Sequence, residues 1–468
     1  MKSRNRYLLK NTAIFTIGNL ATKLITFFLI PIYTNVLSTS EYGVIDIIIT
    51  VSTVAVPILT LNIMESVMRF NLDPDANHDL ISKIGITILL ISIIVALPII
   101  LICNNISILS NYGYYVYLYC VSSAICQVLL SDLRGKELLV QYSVGNVINT
   151  FFIAIFNIIF LVVLKRGVEG YLLAYIISNL LVSLYALIVG KSYKSWHVKI
   201  NKKVMLSMLK YSIILIPNSF MWWIMNSSDH LMVTSMVSVA ANGVYAISYK
   251  LPTLISTFVG IFNQAWGYSA IKEEKAKDVN EYTNKVFRTL VVITNFVALS
   301  MMTIIKPFLK VYVSNEYYSA WKYTPFLIMG FVFMTFGTFV GTSYTVRKDS
   351  KGMLLTGISG AFLNIFLNYL MIPIIGVYGA ALSTCVSYIC VFFVRVFNTR
   401  KYLKYKLLTK EFMIGILFLV LSAILIIGQS IIFQLFQIIL IILFLIIFKR
   451  YWVIQVKNLF NKLKGIYQ

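Results

Sequence analysis

Long apolar segments follow one another along the chain with only short polar breaks between them. Most are close to the roughly 20 residues that an α-helix needs to cross the hydrocarbon core of a bilayer. None shows the period-two alternation of a membrane β-strand. The pattern therefore predicts an all-α membrane protein with 14 transmembrane helices, at 12–36, 42–66, 84–104, 113–131, 138–164, 168–190, 208–237, 242–268, 286–306, 322–345, 353–373, 376–397, 411–428 and 430–448.

Short motifs recur in the same order in two halves of the chain. Tyr42-Gly43-Val44 opens the second predicted helix, and Asn242-Gly243-Val244 opens the eighth. Gly167-Val168-Glu169-Gly170 precedes Gly376-Val377-Tyr378-Gly379 in the same way. Parallel repeats are typical of transporters that bind their substrate between the repeats. We therefore predict an N-lobe of six helices at 1–190, a C-lobe of six helices at 191–410, and two further helices with a basic tail at 411–468.

The charge of the chain fits this topology. The 468 residues are 59% hydrophobic and carry a formal net charge of +23. With the N-terminus inside, 33 Lys and Arg residues fall in inner segments or at the inner ends of helices, and five fall in outer loops or at outer helix ends. Such a bias marks the cytoplasmic side of a plasma-membrane protein. We therefore predict that both termini are cytoplasmic, and we expect no nucleic-acid partner.

A predicted helical hairpin from Tyr211 to Gly267 places charges inside an apolar region. It contains Asp229, His230 and Lys250, and its uncharged turn is predicted at Val237–Asn242. Asp229 and Lys250 are each about ten residues from the centre of the turn, which corresponds to a depth of roughly 15 Å. One interpretation is a buried ion pair that only offsets its own desolvation. The other is a polar site that faces a water-filled cavity, since ionisable residues inside membranes are commonly functional.

Lys23 is a third charge inside a predicted helix. Asn19 and Thr26 lie on the same helix face, and we expect this polar face to line a cavity; a snorkelling lysine is the alternative. Lys23, Asp229 and Lys250 have no charged counterparts in the other half of the chain. Because residues needed only for a repeated scaffold tend to recur, this asymmetry favours a role in substrate binding or coupling.

Aromatic and polar residues accompany these charges. Glu65 and Arg69 have the spacing of a local ion pair, with an inner gate as the alternative, and Asp46 is interpreted as a charge at a helix N-terminus. The candidate substrate-binding residues are Lys23, Lys250, Asp229, Asn19, Asn226, Trp223, Tyr249 and Gln264. The candidate coupling or gating residues are Asp229, His230, Glu65 and Arg69.

Catalytic and cofactor motifs are missing from the sequence. There is no GxxxxGK[ST] phosphate-binding loop, which argues against a self-contained ATP-driven pump. The three histidines are too scattered for a metal site, and the five cysteines have the spacing of packing residues. The loops are too short to hold a catalytic domain. We therefore expect a transporter without a cofactor, with H⁺ or Na⁺ as the candidate coupling ion.

Three stretches give the sequence a family resemblance: Leu9–Thr12 with Val36–Gly43, Glu65–Phe70, and Leu363–Asn364 with Ile372–Ala381. With these stretches the sequence resembles the Wzx-type polysaccharide and O-antigen flippases of the multidrug/oligosaccharidyl-lipid/polysaccharide exporter superfamily. The resemblance implies two six-helix lobes, a central cationic cavity and alternating access. It also implies a bacterial plasma-membrane location and a cargo of undecaprenyl-diphosphate-linked sugars moved from the inner to the outer leaflet.

The residues and the resemblance together predict a flippase for lipid-linked oligosaccharides. Lys23 and Lys250 would attract the diphosphate as point charges. Asp229 would hold Lys250 in the empty state or carry the coupling ion. The expected partners are the lipid-linked oligosaccharide and membrane lipids, with a polysaccharide polymerase and glycosyltransferases as further candidates. The alternatives are a cation-coupled multidrug exporter of the same superfamily and a lipid II flippase.

Overall fold

The computed structural model describes residues 2–73, 75–274, 276–347, 349–428 and 430–451, with the backbone alone for 2–17, 19, 218, 222, 225, 226, 258, 261, 264, 265 and 268. The described residues form helices and connecting turns. The α-helices are α1 (Lys2–Val36), α2 (Thr39–Leu59), α3 (Ile63–Asn71), α4 (His78–Val95), α5 (Pro98–Asn104), α6 (Gly113–Gly135), α7 (Leu139–Asn157), α8 (Gly167–Val189), α9 (Lys202–Met236), α10 (Val239–Ser248), α11 (Pro252–Lys272), α12 (Val279–Tyr312), α13 (Thr324–Arg347), α14 (Ser350–Ile375), α15 (Val377–Asn398), α16 (Lys410–Leu425) and α17 (Ile431–Ile447). A π-helical turn at Ile158–Val163 continues α7, and 3₁₀ helices cover Ser192–His197, Asn315–Lys322 and Thr399–Lys401.

The all-α membrane fold predicted from the sequence is confirmed. Every predicted apolar segment coincides with one helix or with two consecutive helices. Within the described residues, ten helical stretches are long and apolar enough to cross a membrane. Shorter apolar helices cover Leu20–Val36, Val239–Ser248 and Ile431–Ile447. The total of 14 membrane crossings stays a prediction.

The chain forms two compact units. The first comprises Met1–Thr234 and Ser238–Gly243, and the second comprises Ser235–Val237 and Val244–Gln468. In the first unit α6 and α7 pack against α8, and α1 packs along α7. In the second unit α13 and α14 pack against α15, while α12 packs against α16 and α17. The helices opened by the repeated glycine motifs, α8 and α15, thus have equivalent neighbours in the two units. The lobe boundaries at 190 and 410 stay predictions.

The two Gly-Val-X-Gly motifs form the same corner in each unit. Gly167 has φ +53° and Gly376 has φ +58°, a left-handed backbone that favours glycine. Three residues later, a Cβ on Gly170 would lie 3.0 Å from the Phe160 carbonyl oxygen. A Cβ on Gly379 would lie 2.5 Å from the Met371 carbonyl oxygen. The repeated motif therefore reflects a repeated turn followed by a close helix-to-helix approach.

In the first unit, a buried carboxylate joins the ends of several helices. The side chain of Asp132, near the end of α6, is 2% exposed. Its Oδ1 accepts hydrogen bonds from Asn71 Nδ2 at 2.9 Å and Ser82 Oγ at 2.8 Å. Its Oδ2 accepts from Ser192 Oγ and Lys136 Nζ, each at 2.6 Å. One carboxylate thereby connects α3, α4 and α6 with the segment that follows α8.

A second carboxylate accepts several hydrogen bonds in the second unit. Asp349 lies between α13 and α14, and its Oδ1 accepts the Gly352 N–H at 2.9 Å. Its Oδ2 accepts from Tyr402 Oη at 2.8 Å and Lys401 Nζ at 3.1 Å, both just after α15. The Gly352 N–H, followed by the Tyr402 hydroxyl and the Lys401 amine, lowers the pKa of Asp349 to about 2.

Candidate functional site

The beginnings of α2 and α10 touch each other through their backbones. A Cβ on Gly43 would fall onto the carbonyl oxygen of Val239, and a Cβ on Gly243 would fall onto the carbonyl oxygen of Thr39. Any side chain at either glycine would therefore force the two helices apart. The two glycines belong to the motifs that the sequence analysis identified as a repeat, and the structure places each motif against the other. We call these four residues the glycine contact.

Both helices begin in a similar way next to the glycine contact. The Ser38 hydroxyl accepts the N–H of Glu41 at 3.2 Å, and the Glu41 carboxylate accepts the N–H of Ser38 at 2.9 Å, which completes a capping box for α2. The Ser238 hydroxyl accepts the N–H of Ala241 at 3.1 Å at the start of α10. The turn before α10 is only Val237 and Ser238, shorter than the predicted turn at Val237–Asn242. The prediction was too long because the Ser238 cap starts the helix earlier.

A cluster of polar side chains lies beside the glycine contact. His230 Nδ1 lies 2.7 Å from Asp46 Oδ2, and Asn242 Nδ2 donates to the same oxygen at 3.1 Å. The N–H of His230 donates to Asp229 Oδ1 at 3.1 Å. Asp229 is 2% exposed, and Asn242 is fully buried. This polar cluster, formed by Asp46, Asp229, His230 and Asn242, joins α2, α9 and α10 inside an apolar region.

The interpretation of Asp46 as a charge at a helix N-terminus was wrong. The Ser38 capping box starts α2 at Thr39, so Asp46 lies about two turns inside the helix. His230 and Asn242 are 184 and 196 residues away in the chain, and no local pattern could have indicated them. The members of the polar cluster that sequence reasoning missed are therefore Asp46 and Asn242.

α9 runs antiparallel to α2 along this cluster. Trp223 Nε1 donates to the carbonyl oxygen of Thr50 at 2.7 Å, about two helical turns from the contact between His230 and Asp46. Residues 223 and 230 share one helix face, as do residues 46 and 50. Trp223, predicted to contact substrate, thus has its indole N–H occupied by the backbone of α2.

The eighth predicted helix is interrupted at Lys250. α10 ends at Ser248 and α11 begins at Pro252, so Tyr249, Lys250 and Leu251 form a turn inside the predicted span 242–268. Proline lacks the N–H that would continue the helix, which explains why α11 starts there. Lys250 is half-buried at this break. Interrupted helices expose backbone groups and are a common feature of transporter binding sites.

Tyr249 begins a chain of polar side chains in the second unit. Its hydroxyl donates to Thr384 Oγ1 at 3.5 Å, and its ring packs edge-on against Phe331 with a centroid separation of 6.0 Å. Asn364 Nδ2 donates to the same Thr384 oxygen at 3.3 Å, and Asn368 Nδ2 donates to Asn364 Oδ1 at 3.1 Å. Tyr249, which was predicted to bind substrate, is thus connected to buried polar side chains of α14 and α15. Thr384, which joins them, was not among the residues predicted from the sequence.

Lys23 lies on the exposed face of α1. Large exposed side chains accompany it there, among them Leu24, which is 50% exposed, and Phe28, which is 68% exposed. The side chain of Lys23 is exposed, and its role in contacting substrate stays a prediction beside the snorkelling alternative. Asn19, Asn226 and Gln264 were also predicted to bind substrate, but their side chains lie outside the described part of the structure.

The expected ion pair between Glu65 and Arg69 is replaced by another. Arg69 Nη1 lies 2.5 Å from Asp73 Oδ1, and both side chains are about half exposed. Glu65 lies in the first turn of α3, where free N–H groups favour a carboxylate, while Arg69 lies in the last turn. The arginine therefore reaches the carboxylate beyond the helix end. An exposed pair of this kind contributes little stability.

Taken together, the fold and the site define a class of protein: a multi-pass, all-helical membrane protein with buried ionisable groups at interrupted or closely packed helices. Solved structures share this fold. The lipid II flippase MurJ in an inward closed conformation matches with a TM-score of 0.65 and 15% identity, over 96% of this chain and 100% of the other. An inward-facing MATE-family multidrug transporter of the MOP superfamily matches with 0.60 and 13%, over 87% and 95%. A Vibrio cholerae MATE transporter matches with 0.53 and 12%, over 88% and 99%.

The chain belongs to the polysaccharide biosynthesis protein family. The model of this family matches residues 8–266, which is more than half of the chain and includes the glycine contact and the polar cluster. A search of curated protein sequences finds no match. The family agrees with the resemblance stated from the sequence, and the structural matches place the fold among membrane transporters.

Proposed function

We propose that this protein is a flippase that moves a polyprenyl-diphosphate-linked oligosaccharide from the inner to the outer leaflet of the bacterial plasma membrane. The observation that carries the proposal is the combination of a polysaccharide biosynthesis family match with a transporter fold that holds Lys23 and Lys250 within predicted membrane spans. A diphosphate headgroup carries the complementary charge.

In this proposal Lys23 and Lys250 attract the diphosphate. Lys23 is exposed on α1 and Lys250 is half-buried at the break between α10 and α11. An ammonium group is a compact point charge, so it binds phosphate without the fixed geometry that a guanidinium imposes. The polyprenyl chain stays in the bilayer, while Tyr249 and Trp223 lie near the sugars. Asp229 or His230 carries the coupling H⁺ or Na⁺.

The glycine contact and the polar cluster form the outer gate in this mechanism. Under the predicted orientation, the beginnings of α2 and α10 lie at the outer surface. Here their backbones meet, and Asp46, His230 and Asn242 join them by hydrogen bonds. Opening toward the outer leaflet requires these bonds to break. A change in the protonation of His230 or in ion binding near Asp229 would therefore alter the gate equilibrium.

The test is complementation of a strain that lacks the gene. We expect Lys23→Ala and Lys250→Ala to abolish surface polysaccharide and to leave lipid-linked precursor inside the cell, at unchanged protein level. Lys23→Arg should restore part of the export because it keeps the charge. Lys310→Ala, which removes an exposed lysine near the end of α12, is the matched control.

Three results would contradict the proposal. Normal export in both alanine variants would remove these lysines from the mechanism. Drug resistance on overexpression, without any effect on polysaccharide, would favour the cation-coupled multidrug exporter. Accumulation of the peptidoglycan precursor in the deletion strain would instead favour a lipid II flippase, whose fold the chain shares.

A further inference from the structure

A large basic cleft lies in the second unit, and none of its lining residues has been assigned to transport. Its volume is about 970 Å³. It is formed by the first third of α12, the segment 402–409, the first turn of α16 and the residues that follow α17. The lining residues are Asn280, Glu281, Asn284, Lys285, Arg288, Thr289, Lys404, Lys406, Glu411, Arg450 and Tyr451.

Hydrogen bonds from α12 fix the segment 402–409 along the cleft. Asn284 Nδ2 donates to the carbonyl oxygen of Lys404 at 3.0 Å, and Asn284 Oδ1 accepts the N–H of Lys406 at 2.7 Å. Asn280 Oδ1 accepts the N–H of Lys404 at 3.2 Å. Lys404 and Lys406 are both exposed, whereas Tyr405 between them is half-buried, so the two lysine side chains project to the same side. Two asparagines therefore hold two lysines at the wall of the cleft.

The charges of the cleft are unbalanced. Five cationic side chains line it, against the two carboxylates of Glu281 and Glu411. Glu411 Oε1 already accepts a hydrogen bond from the Tyr451 hydroxyl at 2.6 Å. Within the described part of the chain, none of the five cations lies within ion-pair distance of a carboxylate.

Arg288 adds an unsatisfied donor to this excess charge. Its Nε atom is buried and has no hydrogen-bond partner among the described residues. A buried charged donor without a partner is costly, and an anion in the cleft would satisfy it. Guanidinium and ammonium groups that converge on one cavity are the usual recognition elements for phosphate oxygens.

Apolar surface next to the cleft distinguishes a lipid from a soluble phosphate. Ile442, Ile446 and Ile447 of α17 are 50%, 60% and 48% exposed, and they directly precede Arg450 and Tyr451 in the chain. A ligand with a phosphate in the cleft and acyl chains along α17 would use both features. Basic pockets at the ends of membrane helices commonly bind anionic lipid headgroups. We propose that this cleft binds the phosphate headgroup of an anionic phospholipid that is not the transported cargo.

The experiment uses the full-length protein purified in a neutral detergent. Its thermal unfolding and its retained lipid, counted by native mass spectrometry, are measured with phosphatidylglycerol, phosphatidylcholine or inorganic phosphate. The test variant is Lys404→Gln with Lys406→Gln, both exposed, and a second variant adds Arg288→Gln. Lys310→Gln, at the other end of α12, is the matched control.

We expect phosphatidylglycerol to raise the unfolding midpoint of the wild type and of the Lys310 variant. Its apparent affinity should fall roughly fivefold for each cation removed from the cleft. Equal affinity in the wild type and both cleft variants would overturn the proposal, and so would an equal response to phosphatidylcholine. An equal response to inorganic phosphate would replace the lipid with a soluble anion. Because none of these measurements involves transport, failure of the proposed function would leave this result unaffected.

Discussion

The end of α6 in the first unit and the loop between α13 and α14 in the second each hold an aspartate with a similar connection. In the first unit, Asp132 is 2% exposed and bonds to the segment after α8 through Ser192. In the second unit, Asp349 is 18% exposed and bonds to the segment after α15 through Lys401 and Tyr402. Each carboxylate therefore connects the end of α6 or α13 to the segment that follows α8 or α15.

The comparison teaches that the two units keep the same connection while its donor residues and its degree of burial differ. Both corners at Gly167 and Gly376 have positive φ, which glycine adopts without strain. The carboxylates differ in their degree of burial and in their partners. A buried acceptor with four donors is sensitive to loss of the charge, whereas a partly exposed one has water as an alternative partner.

The largest effect is expected from Asp132→Ala. The substitution leaves the Lys136 amine and three neutral donors without their buried acceptor, and removing one partner of a buried ion pair commonly costs about 3–5 kcal/mol. The unfolding free energy in detergent should fall by that order. Asp349→Ala is the matched substitution in the second unit and should have a clearly smaller effect. Equal losses in the two variants would show that the greater burial of Asp132 does not increase its contribution to the unfolding free energy.

The glycine contact gives the second prediction. Gly43→Ala should separate α2 from α10, and it should reduce both thermal stability and surface polysaccharide, with an overpacking cost of about 1–3 kcal/mol. Gly243→Ala should have a similar effect, and the double variant should lose less than the sum because the first substitution already opens the contact. Gly357→Ala in α14, where nothing lies within 4 Å of the added carbon, is the control and should be neutral or stabilising. Additive losses would indicate that the two glycines act separately.

The corner glycines give a third, smaller effect. Gly167→Ala and Gly376→Ala both place a side chain at positive φ. Gly376 combines φ +58° with ψ −138°, outside the left-handed helical region, where a side chain costs about 1–3 kcal/mol. A Cβ at residue 167 would lie 2.7 Å from Glu41 Oε1, whereas a Cβ at residue 376 meets nothing within 4 Å. Each substitution should therefore lower the unfolding midpoint, the first by displacing the Glu41 side chain and the second through its backbone conformation. An unchanged midpoint in either variant, measured by thermal unfolding, would show that its corner tolerates a side chain.

The parts of this structure that were predictable from sequence depend on neighbouring residues. Apolar segment length predicted the helices, and the repeated glycines indicated where the two units correspond. Long-range partners were beyond such reasoning: Asp46 meets His230 across 184 residues, and nothing near either residue indicates the other. The choice of Asp73 over Glu65 as the partner of Arg69 depended on where α3 ends. Whether Lys23 and Lys250 meet a diphosphate depends on substrate, and stays a prediction.

The smallest effect concerns the pH dependence of the loop at Asp349. Its folded pKa of about 2 lies below the ordinary value of 3.8, so the ionised carboxylate stabilises the fold above about pH 4. That contribution is lost as the pH falls from 4 towards 2. Asp349→Asn should therefore lower the unfolding midpoint slightly at pH 7, and the difference from the wild type should shrink as the pH approaches 3. Asp278→Asn, at an exposed carboxylate before α12, is the control. A difference that stays constant across this range would mean that the amide variant acts by altering packing, and that the charge of Asp349 contributes nothing to the connection with α15.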